Sequence, residues 1–146
     1  MASIRREIEV NARPGFVWEA VRDFGNVDKR LVPGFAVVVQ ADDEGRDLTF
    51  ANGSSARELL VSCDDDLRRL VYAITGGRMT AHSASVQVFD RDSGGCLLVW
   101  TTDVLPYSLA GYIGTQMDQA VTLMKATLEQ SFQMDMSEYR FHDIEG

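Results

Sequence analysis

The chain has 146 residues, a net charge of −8 and 45% hydrophobic residues, which suits a single globular domain. The negative charge argues against a nucleic acid partner, because surfaces that bind nucleic acid are normally rich in lysine and arginine. No apolar run approaches the about 20 residues of a membrane-spanning helix, and the first residues do not form the unbroken hydrophobic segment of a signal peptide. We therefore expect a cytoplasmic protein without membrane insertion.

The N-terminal part is predicted to contain one strand and then two short helices. Residues 4–10 alternate apolar and charged side chains, a pattern typical of a strand with one buried face. Pro14 suits the first turn of a helix, and apolar residues then recur at helical spacing as far as Gly25. A second helical turn is predicted over residues 26–31, before a Pro-Gly pair.

Six further strands separated by turns are predicted in the middle of the chain. The breaks are rich in Asp, Asn, Ser and Gly, which tolerate positive φ or hydrogen-bond to their own backbone. Such short links favour antiparallel hairpins, because parallel strands need long crossover connections. The predicted strands cover residues 35–41, 47–51, 56–64, 69–75, 80–91 and 96–104.

After Pro106 the apolar spacing becomes helical and predicts one long helix that ends near residue 132. Residues 134–146 are mixed and acidic, so we expect a loose C-terminal tail after a ligand-binding domain of residues 1–133. A curled sheet that holds the long helix would bury the apolar surfaces of both. The fold class predicted is α+β: a curved seven-stranded antiparallel sheet around a long C-terminal helix, with two short helices after strand one and a cavity at the seam.

Several short strings resemble, in their order and spacing, those of the helix-grip superfamily. This superfamily contains START lipid-transfer domains, polyketide cyclases/dehydrases, birch-pollen-type allergens and plant abscisic acid receptors. The resemblance covers about residues 3–132 and implies a helix-grip fold whose cavity binds a small hydrophobic ligand, lipid-like or polyketide-like. The strings are Asn11-Ala12-Arg13-Pro14, Pro33-Gly34-Phe35, Arg57-Glu58-Leu59, Gly76-Gly77-Arg78-Met79 and Val99-Trp100.

In the hormone receptors of this superfamily, two loops close over the mouth of the cavity. The turn that contains Arg78 and Met79 resembles one of these loops, shortened by a residue, and residues 52–55 occupy the place of the other. The loop proline of the receptors is missing, and Pro33 stands where they carry a ligand-anchoring lysine. The resemblance therefore favours a bacterial polyketide-cyclase-like member. Arg78 and Met79 would form either a lid or an ordinary solvated turn.

The resemblance also implies which strand faces line the cavity, whereas counting alternate residues allows Leu59 and Val61 to point inward instead. Methionines on the long helix would suit the floor of a pocket that accepts varied shapes. The predicted ligand-binding residues are Glu58, Leu60, Tyr72, Ile74, Arg78, Met79, His82, Trp100, Met117, Val121 and Met124.

Three of these residues, Glu58, Tyr72 and His82, are also candidates for catalysis. A carboxylate can tune the pKa of a nearby imidazole, and a phenol can donate to a substrate carbonyl. Such a set could enolise or dehydrate a poly-ketone, as a polyketide aromatase/cyclase or dehydrase would. Without catalysis, Glu58 would pair with Arg78 or hold waters, His82 would orient a ligand, and Tyr72 would pack with a hydrogen-bonded hydroxyl.

Three functions therefore remain open: a carrier or sensor of a small hydrophobic ligand, which is the leading hypothesis, a cyclase or dehydrase, and an interaction protein whose interior is filled. No metal or cofactor is expected, because the sequence has no metal-ligand motif and no glycine-rich nucleotide loop. Cys63 and Cys96 have no metal-type spacing and are expected to be buried free thiols. An exposed edge strand would permit a homodimer.

Overall fold

Seven antiparallel strands form one sheet in the computed structural model, which describes residues 2–145 and the side chains of residues 2–138. The order across the sheet is β1-β7-β6-β5-β4-β3-β2, so that β1 closes against the last strand of the chain. Every predicted strand is present, with bounds within two residues of those expected. The strands are β1 Ala2–Val10, β2 Ala36–Ala41, β3 Gly45–Phe50, β4 Ser55–Asp64, β5 Arg69–Thr75, β6 Ala81–Asp90 and β7 Cys96–Leu105.

Two short helices follow β1 and one long helix follows β7, as the helix-grip fold requires. They are α1 Pro14–Arg22, α2 Val27–Arg30 and α3 Ala110–Glu145. Pro14 lies in the first turn of α1, where its missing N–H removes no helical hydrogen bond. Within residues 2–145, no helix combines the length and the apolarity that would be needed to span a bilayer.

Helix α3 is longer than the sequence predicted. It has 36 residues and continues to Glu145, so the end expected near residue 132 is wrong. Residues 134–145 of the expected loose tail are helical, and Gly146 lies outside the described residues. The prediction took the loss of apolar spacing as the end of the helix. Residues 133–145 nevertheless contain no proline or glycine, and such a stretch can prolong a helix without an apolar face.

The main core lies between the concave face of the sheet and the three helices. Val17 of α1, Leu98 of β7 and Leu128 of α3 are almost completely buried in it. A second, smaller core cluster contains Val104 and Met117, nearer the beginning of α3. Because the two clusters meet only partly, space remains between the sheet and the first turns of α3.

Two irregularities of the sheet determine the shape of that space. The pairing of β5 with β6 ends at Tyr72 and Ala84, so the last residues of β5 have no backbone partner on β6. The following turn contains Gly76 and Gly77, both at positive φ, a conformation that glycine adopts without steric cost. The two strands therefore separate toward this turn and leave one end of the interior open.

Candidate ligand-binding site

A cavity of about 360 Å³ lies between the sheet and the first turns of α3. Its walls come from strands β3 to β7, from Phe35 just before β2, from the turns β3–β4 and β5–β6, and from the start of α3. This volume falls within the range of pockets that bind small molecules in other proteins. The third hypothesis from the sequence required a filled interior, and the structure contains a cavity instead.

The mouth of the cavity is formed by three elements whose lining residues are exposed to solvent. Ser54 ends the β3–β4 turn and Ser55 begins β4, Arg78 belongs to the β5–β6 turn, and Tyr112 lies in the first turn of α3. The guanidinium carbon of Arg78 is 5.7 Å from the centroid of the Tyr112 ring, a cation–π contact between turn and helix. That this turn acts as a lid stays a prediction.

A buried ion pair lies deep in the cavity wall. Arg46 of β3 is directly opposite Glu58 of β4, and its Nε donates to Oε1 of Glu58 at 2.7 Å. The arginine also donates from Nη1 to the carbonyl oxygen of Phe24 and stacks 3.7 Å above the Phe24 ring. Burial raises the pKa of Glu58, and the charge of Arg46 opposes that shift. The expected alternative, a pair between Glu58 and Arg78, is wrong, because Arg46 takes the place of Arg78.

The hydroxyl of Tyr72 is held by the indole of Trp100. Nε1 of Trp100 donates to the Tyr72 oxygen at 3.1 Å, and both side chains line the cavity. Burial raises the pKa of Tyr72, and the negative charge of Glu58 raises it further. The hydroxyl therefore keeps its proton at neutral pH and can donate a hydrogen bond.

His82 forms a hydrogen bond with the backbone of the neighbouring strand. The N–H of Ile74 donates to Nδ1 of His82 at 3.0 Å, so in a neutral ring the proton is on Nε2. Burial lowers the pKa of His82, which favours this neutral form. The imidazole ring lies 5.9 Å from the Tyr72 ring, centroid to centroid. In the described part of the chain no carboxylate is hydrogen-bonded to His82, and Glu58 pairs with Arg46 instead.

Most of the predicted ligand-binding residues come together around the main cavity. Met124 lines a smaller inner cavity of about 80 Å³, which shares part of its wall with the main one. Val121 packs partly buried against the main core and lines neither cavity. The predicted residues that line the main cavity are Glu58, Tyr72, Ile74, Arg78, Met79, His82, Trp100 and Met117.

Leu60 was predicted to face the cavity, and the structure places it elsewhere. Its side chain is 40% exposed and lines neither cavity. The neighbouring strand β3 begins opposite Leu59, and a bulge follows between Leu60 and Ser62. Leu60 therefore lies where the sheet narrows and no wall continues, so alternation along β4 alone did not determine its environment.

The sequence analysis missed Arg46, the residue that neutralises Glu58. The turn sequence Asn52-Gly53 did not reveal it, because counting outward from a two-residue turn places residue 47 opposite residue 58. In the structure the loop contains the three residues 51–53, and this extra residue brings Arg46 opposite Glu58. The sequence analysis also missed two aromatic side chains of the wall, Phe35 and Phe50, whose rings pack edge to face at 5.7 Å.

The sequence matches one protein family over nearly its whole length. Residues 1–133 match the family described as polyketide cyclase / dehydrase and lipid transport. The chain belongs to this family. No protein with a curated function matches the sequence closely enough to count as a relative.

Several solved structures have the same fold as this family member and align with most of its chain. A solution structure from Thermobifida fusca is 27% identical, covers 90% of this chain and 93% of its own, and has a TM-score of 0.72. A START superfamily protein from Mycobacterium smegmatis is 12% identical, covers 90% and 97%, and has a TM-score of 0.68. Norcoclaurine synthase of Thalictrum flavum, a point mutant in complex with a transition state analogue, is 20% identical, covers 89% and 96%, and has a TM-score of 0.64. The last two comparisons concern the fold alone and confirm the helix grip.

Family and fold together indicate a ligand-binding protein. Among the described residues, no group of three or more His, Cys, Asp or Glu side chains is arranged to hold a metal ion. The cavity offers aromatic rings and aliphatic side chains for recognition. Its polar side chains are Ser54, Ser55, Glu58, Tyr72, Thr75, Arg78, His82, Thr102 and Gln116.

Proposed function

We propose that this family member binds a small hydrophobic ligand, lipid-like or polyketide-like, in the main cavity and acts as a carrier or sensor. The observation that carries the proposal is the cavity of about 360 Å³, open at one end. Its walls include Trp100, Met117, Phe35 and Phe50. Aromatic and methionine side chains offer a large apolar contact area and accept ligands of varied shape.

The polar groups of the cavity favour binding over acid–base catalysis. A general base needs a free lone pair and a pKa near neutrality. Nδ1 of His82 accepts from the backbone of Ile74, so the imidazole has no free lone pair. Arg46 stabilises the charged form of Glu58 and opposes the rise of its pKa that burial causes. The pKa of Tyr72 is raised by burial, which makes the phenol a weak proton donor in a chemical step. These groups are thus suited to orient a ligand.

A neutral solvatochromic dye tests occupancy of the cavity. We expect Nile red to bind with enhanced, blue-shifted emission, and native mass spectrometry of freshly purified protein to show a copurifying apolar compound. Ala56→Phe places a ring in the lining of the cavity and should weaken dye binding at least about tenfold. Ala51→Phe, at an exposed position outside the lining, is the control and should leave binding unchanged. Equal dye binding by both variants would place the dye elsewhere and contradict the proposal.

A polyketide cyclase or dehydrase is the second candidate, and one observation favours it. Tyr72 and His82 are neighbours that can both donate hydrogen bonds into the cavity, and two donors can polarise a ketone. Incubation with a linear poly-ketone, followed by mass spectrometry for loss of water, tests this activity. Turnover that Tyr72→Phe abolishes while Nile red still binds would establish an enzyme. No turnover would leave the carrier or sensor.

The homodimer stays a prediction as well. Strands β1 and β2 are the two ends of the sheet, and Val37 and Val38 of β2 are about half exposed. Unpaired edge strands can associate with a second copy. Light scattering after size exclusion measures the mass in solution, and a monomer at all concentrations would rule the homodimer out.

A further inference from the structure

The carboxylate of Glu58 is hydrogen-bonded through only one of its two oxygens. Both Nε and Nη2 of Arg46 approach Oε1, and no hydrogen bond within the described residues reaches Oε2. The side chain of Glu58 is only 8% exposed. No fully buried side-chain oxygen or nitrogen of the described residues lacks a partner, so Oε2 reaches the accessible space beside it. Glu58 lines both the main cavity and the inner cavity, so a hydrogen-bond acceptor is presented where these two spaces meet.

The hydroxyl of Tyr72 offers a hydrogen-bond donor, whereas Glu58 offers an acceptor. Its oxygen accepts from Trp100, and among the described residues the hydroxyl donates to no acceptor. Tyr72 is 6% exposed and lines the same cavity. Since a buried donor without an acceptor costs free energy, the hydroxyl proton also requires a partner.

These two groups lie side by side on one wall. Glu58 is opposite Ile74 in the pairing of β4 with β5, and Tyr72 is two residues from Ile74, on the same face of the sheet. Diagonal neighbours of this kind are within reach of long and aromatic side chains. Both residues also line the inner cavity, so they mark the boundary between the two spaces.

We propose that the ligand carries a hydroxyl group, which donates to Oε2 of Glu58 and accepts from the hydroxyl of Tyr72. The proposal rests on the proposed function and narrows the ligand class to apolar alcohols and phenols. A hydroxyl satisfies both groups at once. A ketone or an ether satisfies Tyr72 alone and leaves a buried carboxylate oxygen without a donor, and a carboxylate is repelled by Glu58.

Four matched probes test the proposal by isothermal titration calorimetry of the intact chain. They are 2-naphthol, which donates and accepts; 2-methoxynaphthalene, which only accepts; naphthalene, which does neither; and 2-naphthoate, which is anionic. We expect 2-naphthol to bind at least about tenfold more tightly than its methyl ether, because a hydrogen bond to a charged group contributes most. Equal affinities of 2-naphthol and its ether, or tightest binding of 2-naphthoate, would overturn the hydroxyl site.

Variants of Glu58 and Tyr72 test which residue causes the preference for 2-naphthol over its methyl ether. In Glu58→Gln, Arg46 keeps the amide oxygen and the amide N–H₂ faces the cavity, so the ratio between 2-naphthol and its ether should fall to about one. Tyr72→Phe should weaken both probes by the same factor and keep the ratio, because both offer an acceptor. Glu19→Gln, at an exposed position of α1, is the control and should change neither affinity. A ratio that Glu58→Gln leaves unchanged would overturn the proposal.

Nile red separates the two levels of inference. If the dye binds but the four naphthalene probes bind with equal affinity, the hydroxyl site is wrong and the proposed function stands. The same holds if the dye binds and none of the four probes binds. If the dye and all four probes fail to bind, both are wrong. A cooperative thermal transition shows whether each variant is folded. If Glu58→Gln does not fold, Tyr72→Phe decides alone. An equal weakening of 2-naphthol and its ether would support the proposal, and a weakening of 2-naphthol alone would overturn it.

Discussion

The N–H of Ile74 donates to Nδ1 of His82 across the gap where strands β5 and β6 stop pairing, at 3.0 Å. The imidazole thereby takes the place of a backbone acceptor that a regular ladder would supply. Protonation of Nδ1 removes this acceptor and places a charge in a partly buried position. The hydrogen bond therefore couples the protonation state of His82 to the structure of the cavity wall.

A pH dependence of stability follows from this coupling. Burial lowers the pKa of His82 below its ordinary value of 6.5. As pH falls through 6.5, the unfolded chain binds a proton before the folded chain does, so the free energy of unfolding declines until the lowered pKa is reached. His82→Asn keeps an acceptor for Ile74 and cannot titrate. Urea unfolding between about pH 7.5 and about pH 5 should therefore show a smaller decline in the variant than in the native chain. Equal declines in the two would contradict the assignment.

Removal of Arg46 alone should be severely destabilising. It would leave the carboxylate of Glu58 buried and unpaired, and breaking a buried pair in this way costs about 3–5 kcal/mol. The double variant Arg46→Met with Glu58→Leu removes both charges and should recover most of that loss. Urea unfolding of the two variants measures the difference. If Arg46→Met alone were as stable as the double variant, the unpaired Glu58 carboxylate would not be the cause of the destabilisation.

Gly45 allows strand β3 to begin close to the backbone of Glu58. A Cβ at this position would overlap the carbonyl oxygen of Glu58. We expect Gly45→Ala to destabilise the fold by about 1–3 kcal/mol, as overpacking does. Gly15→Ala is the matched control, because a Cβ there meets no atom within 4 Å and alanine favours the helix. The melting temperature should fall in the first variant and hold or rise in the second.

The two cysteines should differ in reactivity. Both are free thiols; Cys96 is buried as expected, whereas Cys63 is exposed, so the expectation that both are buried is wrong for Cys63. Burial raises the pKa of Cys96 to about 11, and the thiolate is the reactive form. Ellman's reagent should therefore titrate one thiol in the native protein and two in urea. Cys63→Ser should abolish the fast reaction, and its persistence would show that Cys96 is accessible.

Much of the fold could be predicted from local sequence. Alternation over residues 4–10, turn residues such as Asn52-Gly53 and the helical spacing after Pro106 each depend on a few neighbouring residues. The structure confirms these elements in their order. Of the residues predicted for the site, Tyr72, His82 and Trp100 line the cavity, and their contact with a ligand stays a prediction.

By itself, the sequence determined the order of the elements and nearly all their bounds, because both follow from periodicity and turn residues along the chain. The tertiary structure decided which polar groups meet. Arg46 pairs with Glu58 because of the register of β3 and β4, and His82 binds Ile74 because two strands separate at that point. The exposure of Leu60 likewise depends on where its neighbouring strand begins. Such contacts are set by distances between segments, which periodicity does not encode.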